Sequence, residues 1–446
     1  VVVLGGGAAG LLAAITAGRR GRRVTVLERN ADIGKKIRIS GGGRCNFTNI
    51  SPGLLDGFHS SGDGADAEFF KSVLSRYRPQ DFIALMDKHG IKYHEKKLGQ
   101  LFCDESAGQI VEMLRRECDD AGVRILTDCL VTDLSPGDQA AATASSAAAA
   151  EAQFQVDYLT LPQRRAEGAR HRIDPSKDRL EARQLTAEAI VVASGGLSFE
   201  KSCGSTDLAY QIATRFRMPL HDVRPGLVPL RCDGEEMRWA REIPGATLPV
   251  RASVGEVSFA ENLLFTHRGL SGPVVLQISS FLGEDREVVI DLIPDQQERQ
   301  LFNWIKSYAI RHPTAHALSA VRELMRRPGG AGFKRLADAW WSNVAAKGCG
   351  VPEDARFADI SAKGPLRRLA KQLKHWRVRF DRTEGYPKAE VTCGGVGCES
   401  LSPESMEAKE WPGLFFVGES VDVTGWLGGY NLQWAWASGH AAGEAC

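Results

Sequence analysis

Two hydrophobic periodicities partition the chain. Val1-Val2-Val3-Leu4 is an unbroken apolar run, and Val24-Thr25-Val26-Leu27 is a second. Short apolar runs closed by glycine or charge are the pattern of parallel strands buried on both faces. With the small-residue stretch between them they make a βαβ unit over residues 1–30. Helical spacing follows over 68–77 and 79–89, and again over 110–121, where Ile110, Val111, Leu114 and Cys118 share one face. Residues 123–126 and 130–134 read as strands. So do 189–193, a buried-type run ending in the small residues Ser194, Gly195 and Gly196.

The pattern changes beyond about Gly204. Residues 227–231, 248–254, 256–259 and 287–292 read as short antiparallel strands, and 297–311, 315–326, 334–341 and 365–375 as helices. Nucleotide-binding character returns at the end: 413–419 is a strand delivering Glu419, and 428–439 a glycine turn opening a helix. The predicted class is α/β, with a discontinuous first domain over 1–204 and 389–446 and an inserted β-rich domain carrying a helical part over 205–388. The Ala/Ser tract at 140–150 and the arginine-rich stretch at 164–183 predict an exposed, flexible excursion over 140–183.

Composition bounds the partners. A net charge of +1 argues against a dedicated nucleic-acid or anionic-membrane binder, so no nucleic acid is expected. No apolar run approaches a membrane span. Ten cysteines without a C-x-x-C pair point to a reducing compartment rather than a disulfide or metal framework. No metal is expected, and the location is cytoplasmic, or organellar if a removed targeting peptide preceded Val1.

Chemistry enters with Gly5-Gly6-Gly7-Ala8-Ala9-Gly10, which lies between the first strand and the first helix, with Glu28 closing the second strand. This is G-x-G-x-x-G in its required setting. Gly5 makes the sharp turn, Gly7 lets backbone approach a pyrophosphate, and Gly10 lets helix and strand pack closely. The helix start faces the phosphates, and Glu28 can accept from an adenosine ribose. A second glycine-rich loop follows: Gly34-Lys35-Lys36, then Ser40-Gly41-Gly42-Gly43-Arg44-Cys45-Asn46. A nicotinamide dehydrogenase has no need of it. A flavoenzyme does, because the ring must lie flat against backbone while its edge exchanges hydrogen bonds.

Together with Phe265-Thr266-His267-Arg268-Gly269-Leu270-Ser271-Gly272-Pro273, Val391-Thr392-Cys393-Gly394-Gly395-Val396 and residues 418–435, these segments resemble the NAD(P)/FAD-dependent oxidoreductase family of conserved flavoproteins, which includes aminoacetone oxidase and BaiN-like flavoproteins of bile-acid dehydroxylation. The resemblance implies a glutathione-reductase-like FAD-binding Rossmann domain and a barrel-like insert. It implies FAD cradled by residues 5–10, with Glu28 on the ribose and Ser40 to Asn46 along the isoalloxazine. Gly418 and Glu419 would lie on the ribityl side, and Gly428, Gly429, Tyr430, Asn431 and Leu432 would aim a helix start at the flavin pyrimidine edge. Arg29, Lys35, Val131, Ala193, Ser194 and Gly195 complete the expected cofactor set.

No catalytic side chain stands out. His267 is a candidate acid–base group, although Gly269 as a turn, Ser271 as a helix cap and Pro273 in the first helical turn account for the same motif. Cys45 is either a reactive thiol or a small buried filler, and Tyr430 either transfers a proton or positions the ring. Cys393 and Cys398 have the C-x-x-x-x-C spacing of a redox disulfide but sit on a late glycine loop, where a structural role is expected. Trp434 and Trp436 either stack near the flavin or pack the core.

The expected activity is FAD-dependent oxidoreduction on a small-molecule substrate, through hydride transfer at flavin N5. The electrons come from NAD(P)H to an unsaturated substrate, or pass from an amine to dioxygen. A flavin-dependent RNA (tRNA) modification enzyme and a redox-sensing flavoprotein without turnover are the alternatives. The insert lacks a second dinucleotide fingerprint, so any nicotinamide, a transient donor, would dock directly at the flavin.

Overall fold

A computed structural model describes residues 1–62, 67–137, 154–161, 179–283, 286–360 and 363–446. They form two compact units, Val1–Arg224 with Val391–Cys446, and Pro225–Glu390. The first unit is built on a five-stranded parallel sheet in the order Leu414–Phe416, Ile190–Val192, Val2–Leu4, Thr25–Leu27, Arg124–Leu126. Val2–Leu4 is central, and all three of its residues are buried, which is why its sequence is apolar without alternation. From it the chain passes to Thr25–Leu27 on one side and later to Ile190–Val192 on the other. The topological switch point therefore lies just beyond Leu4, at the glycine turn.

Helix Ala8–Arg19 packs against the C-terminal helix Tyr430–Ala445, and glycine sets their separation. A Cβ at Gly439 would stand 2.3 Å from the Ala9 carbonyl oxygen, and one at Gly443 2.6 Å from that of Ala13. Helix Ala107–Asp120 is fastened to the same layer by Glu117, whose buried carboxylate receives Arg19, Lys88 and His89.

Two smaller antiparallel sheets flank this layer. One orders Glu181–Ala187, Phe154–Thr160 and Cys129–Pro136; the other orders Asn46–Asn49, Gln100–Cys103 and Tyr93–Glu95. The first corrects the excursion expected over 140–183. Phe154, Val156 and Tyr158 alternate inward as a strand with one buried face, and Glu181–Ala187 pairs along it. The Ala/Ser tract and residues 162–178 lie outside the described residues. Residues 205–224, expected in the insert, belong to the first unit, where Leu208–Arg215 packs through Ala209, Tyr210, Ile212 and Ala213.

The second unit holds a seven-stranded antiparallel sheet in the order Trp376–Arg379, Glu287–Asp291, Thr247–Val254, Val257–Thr266, Gly269–Ser271, Leu230–Arg231, Arg382–Thr383. Its two edge strands are separated in sequence only by Phe380 and Asp381, which draws the edges together as in a barrel. Helices Glu298–Arg311, Ala317–Met325, Phe333–Trp340 and Lys363–Lys374 are inserted before the edge strand Trp376–Arg379. Trp376 ties them to the sheet, with ring centroids 5.9 Å from Trp239 and 6.4 Å from Trp340.

The motif at 265–273 folds differently from expectation. The turn is His267–Arg268, and Gly269 already lies in the returning strand. Gly272, at φ 90°, rather than Ser271, precedes the helix Pro273–Ser279, because a Cβ there would meet the Asn262 carbonyl oxygen at 2.6 Å. Pro273 does occupy the first helical turn.

Candidate flavin site

The site begins where Leu4 ends. Gly5 adopts φ +115°, and a Cβ would stand 2.5 Å from the Ala193 carbonyl oxygen. A Cβ at Gly10 would stand 2.0 Å from the Gly5 oxygen, so this glycine is what lets the helix start close to the strand. At Gly7 the reverse holds: a Cβ meets nothing within 4 Å. Gly7 is the N-cap of Ala8–Arg19, and no side chain caps that end. The first-turn N–H groups carry the positive end of the helix dipole without a side-chain cap, beside the open space at Gly7.

Glu28 is buried beside this turn. Its Oε2 accepts the Gly6 N–H at 2.7 Å, and its Oε1 accepts the Asn30 N–H at 2.7 Å and the Asn30 carboxamide at 2.6 Å. Burial pushes its carboxyl up, while the N–H groups of Asn30 and Gly6 oppose the shift. Lys35 donates to the Asn30 carboxamide oxygen at 2.8 Å. The Cys129 N–H bonds to the Glu28 carbonyl at 2.9 Å, which brings the strand carrying buried Val131 alongside, next to half-buried Arg29.

The second glycine loop is an exposed left-handed stretch: Gly41, Gly42 and Gly43 have φ of 57°, 69° and 88°. A Cβ at Gly42 or Gly43 meets nothing within 4 Å, whereas at Gly41 it would collide with the Asn46 nitrogen and Phe102. Ser40 turns back to donate to the Ile37 carbonyl at 2.8 Å and accepts the Cys45 N–H on its own carbonyl at 3.0 Å. Arg44 is exposed, but Cys45 is fully buried and its thiol is pushed up to about 12 by burial. Cys45 is the filler of the loop, with neither the thiolate nor the access of a reactive thiol.

Opposite lies a polar network whose key members sequence reasoning missed. Lys36, rather than Lys35, donates to Ser198 Oγ at 2.6 Å and pairs with Glu419. Ser198 Oγ and the Thr392 N–H also bond to Glu419 Oε1, at 2.6 and 3.0 Å, and Thr392 Oγ1 accepts the Leu197 and Ser198 N–H groups. The one available signal was the doubled lysine after Gly34, since neighbouring helical positions point about 100° apart and only one can face the sheet.

The C-terminal segment closes the site. Gly428 and Gly429 have φ of 122° and 97°, and a Cβ at Gly429 would stand 2.3 Å from the Thr48 carbonyl oxygen. The Asn46 carboxamide spans the same junction; with its amide turned so that both ends are satisfied, it donates to the Leu101 carbonyl at 3.1 Å and accepts the Gly429 N–H at 3.2 Å. Asn49 donates to the Gly428 carbonyl at 2.9 Å, and the Asn431 side chain brackets Gly425. Tyr430 is buried against Phe58 at 5.7 Å, and burial raises its phenol, which suits positioning rather than proton transfer. Trp434 and Trp436 are core residues: their indole N–H groups bond to the carbonyls of Gly418 and Phe47, and Trp436 stacks on Phe82 at 4.4 Å. Leu432 is half-buried. Cys393 and Cys398 are buried and not joined in a disulfide, and His267 is exposed in its turn in the second unit.

These residues fit a dinucleotide. Open space above Gly7, Gly42, Gly43 and Gly195, an acidic acceptor at the end of the second strand, and the buried Ser194 hydroxyl, which has no partner among the described residues, are the features such a group would engage. The arrangement is that of an FAD-binding Rossmann flavoprotein, and the cofactor is FAD.

The chain belongs to the family described as HI0933-like protein Rossmann domain, whose model matches residues 1–163 and 163–445. It is 38% identical over 442 residues, 99% of this chain and 96% of the relative, to the ribosomal RNA dihydrouridine synthase of Haemophilus influenzae. It is 37% identical to the protein of the same name from Escherichia coli over 99% and 96% of the two chains. A 3-dehydro-bile acid delta(4,6)-reductase of Clostridium scindens is 27% identical over 99% and 98%. The first two relatives overturn the expectation that no nucleic acid is involved. A net charge of +1 is a sum over the whole chain and is silent on how the charge is distributed. Among the described residues no helix is long and apolar enough to cross a membrane.

Proposed function

We propose that this flavoprotein reduces uracil in ribosomal RNA to dihydrouracil. The observation that carries the reading is the near-full-length similarity to two ribosomal RNA dihydrouridine synthases at 38% and 37% identity. The more distant relative's name shares the chemistry, since the two double bonds of a delta(4,6) 3-oxo compound and the C5=C6 bond of uracil are all conjugated to a carbonyl. Such alkenes accept hydride by conjugate addition. NAD(P)H supplies two electrons, and one hydride and one proton add across the double bond.

FAD, when bound, would supply the hydride-transfer chemistry between a nicotinamide and the electron-poor alkene. The chain's own part is binding and orientation. Gly5, Gly7 and the N–H groups of the first helical turn would hold the pyrophosphate, Glu28 the ribose, and Lys36, Ser198 and Glu419 the ribityl side. The helix start at Gly429 would place positive N–H dipoles where charge collects on the reduced ring. The exposed loop from Ser40 to Arg44 is open to a substrate from solvent, as a base carried on RNA requires.

The test is incubation of the FAD-loaded protein with NADPH or NADH and ribosomal RNA lacking the modification, followed by nucleoside mass spectrometry. The reading predicts uridine gaining two mass units. Steady NAD(P)H oxidation with unmodified RNA would contradict it.

A further inference from the structure

Charge is strongly segregated along the chain. Residues 298–379, the helical part of the second unit through its edge strand, hold 17 lysines and arginines against 6 aspartates and glutamates, a net +11. The chain as a whole carries +1, so the remaining residues sum to −10. We propose that one face of this helical part, made by helices Glu298–Arg311 and Lys363–Lys374, is the docking surface for the RNA sugar-phosphate backbone; the inference rests on the reading of the protein as an RNA-modifying reductase.

The geometry gathers the cations. Lys363, Arg367 and Lys371 follow one another at i, i+4 and i+8 and are exposed as a stripe flanking the face of their helix that is buried through Leu366, Leu369, Ala370 and Leu373. The Arg367 guanidinium sits 5.3 Å over the ring of Phe302, which joins this stripe to the neighbouring helix. There Arg299 and Lys306 fall on the same side as Phe302, with Leu301 and Ile305 turned into the core. Among the described residues no carboxylate pairs with any of these five cations.

Helix stability does not explain them. Lys363 and Arg299 stand in the first turns of their helices, where the dipole disfavours positive charge, and like charges at i, i+4 repel. A surface that tolerates both costs is matched to a polyanion. Two helices bearing unpaired cations about one helical turn apart suit successive phosphates, and such contacts position a nucleic acid without reading its sequence.

The experiment measures binding of the FAD-loaded protein to deproteinised ribosomal RNA across a salt series, with the variant K363A/R367A/K371A and the charge-retaining variant K363R/R367K/K371R. All three sites are exposed, and FAD content and unfolding midpoint are followed as controls. Loss of three phosphate contacts predicts affinity about ten- to a hundredfold weaker near physiological salt, and a log–log salt slope reduced by about two to three. The charge-retaining variant should bind like wild type. If wild type binds RNA and the alanine variant binds equally well with an unchanged slope, the surface is wrong and the proposed function stands. If wild type binds no RNA, both fail. Binding to phosphatidylglycerol vesicles in place of RNA would overturn the proposal in favour of a lipid surface.

Discussion

Glu28 and Gly6 are joined by a 2.7 Å hydrogen bond from the glycine N–H to the carboxylate, so the residue proposed to hold the ribose also fixes the glycine turn. A substitution there therefore acts twice. Glu28→Ala should weaken FAD retention roughly ten- to a hundredfold, and should lower the stability of the FAD-free protein by about 1–3 kcal/mol by leaving the Gly6 N–H buried without its partner. Flavin titration and denaturant unfolding measure the two effects. Unchanged flavin affinity alongside lost stability would confine Glu28 to a structural role.

Gly429→Val should abolish FAD loading. The position has φ 97°, where a β-branched residue is strained, and a Cβ would stand 2.3 Å from the Thr48 carbonyl oxygen. The clash is with backbone, so it must displace the helix start or the strand Asn46–Asn49. Gly429→Ala meets the same oxygen and should fail in the same direction. Full FAD content and an unchanged midpoint potential in both variants would remove this segment from the cofactor site.

Cys393→Ser with Cys398→Ser should leave reduction by NAD(P)H unaffected. Both cysteines are buried and outside any disulfide, and burial first, then Asp422, raises the thiol of Cys398, so Cys398 supplies no thiolate. A charge-transfer absorbance in the two-electron-reduced wild type, lost in the double variant, would show a redox pair.

The Glu117 cluster predicts an acid limb of stability. Burial pushes its carboxyl up, but hydrogen bonds from Lys88 and His89 and the charge of Arg19 outweigh burial and hold it at about 2, below the ordinary 4.5. A carboxyl lowered on folding contributes stability that is fully present above its unfolded value and is lost as pH falls from there through about 2. With Arg19 and Lys88 half-exposed, the contribution is about 1–3 kcal/mol. Glu117→Gln should therefore destabilise the protein at pH 7 and flatten its stability between pH 5 and 2, followed by denaturant unfolding at each pH (about the range of the two values). An unchanged acid limb would mean that other carboxylates set it.

Much of the first unit was legible because its constraints are local. Gly10 answers to the Gly5 carbonyl within one turn, Gly5 and Gly7 stand at fixed spacing in the same motif, and Val2–Leu4 declares its burial by lacking alternation. The Glu419 network was not legible, because Lys36, Ser198 and Thr392 reach it from three distant segments, and only Lys36, in its doubled lysine, carries a local signal. Ser271 misled because a hydroxyl before proline looks like a cap, whereas the cap position needed the positive φ that Gly272 supplies. The basic helical face escaped notice because acidic residues elsewhere cancel it in the net charge.

Anaerobic reoxidation shows whether the electrons end on RNA. The protein is reduced with one equivalent of NADPH or NADH, excess nucleotide is removed, and ribosomal RNA lacking the modification is added without oxygen. The account predicts that the yellow flavin absorbance returns, with one dihydrouridine formed per flavin reoxidised. Flavin that stays reduced with RNA, but reoxidises on admitting air without change to the RNA, would contradict it.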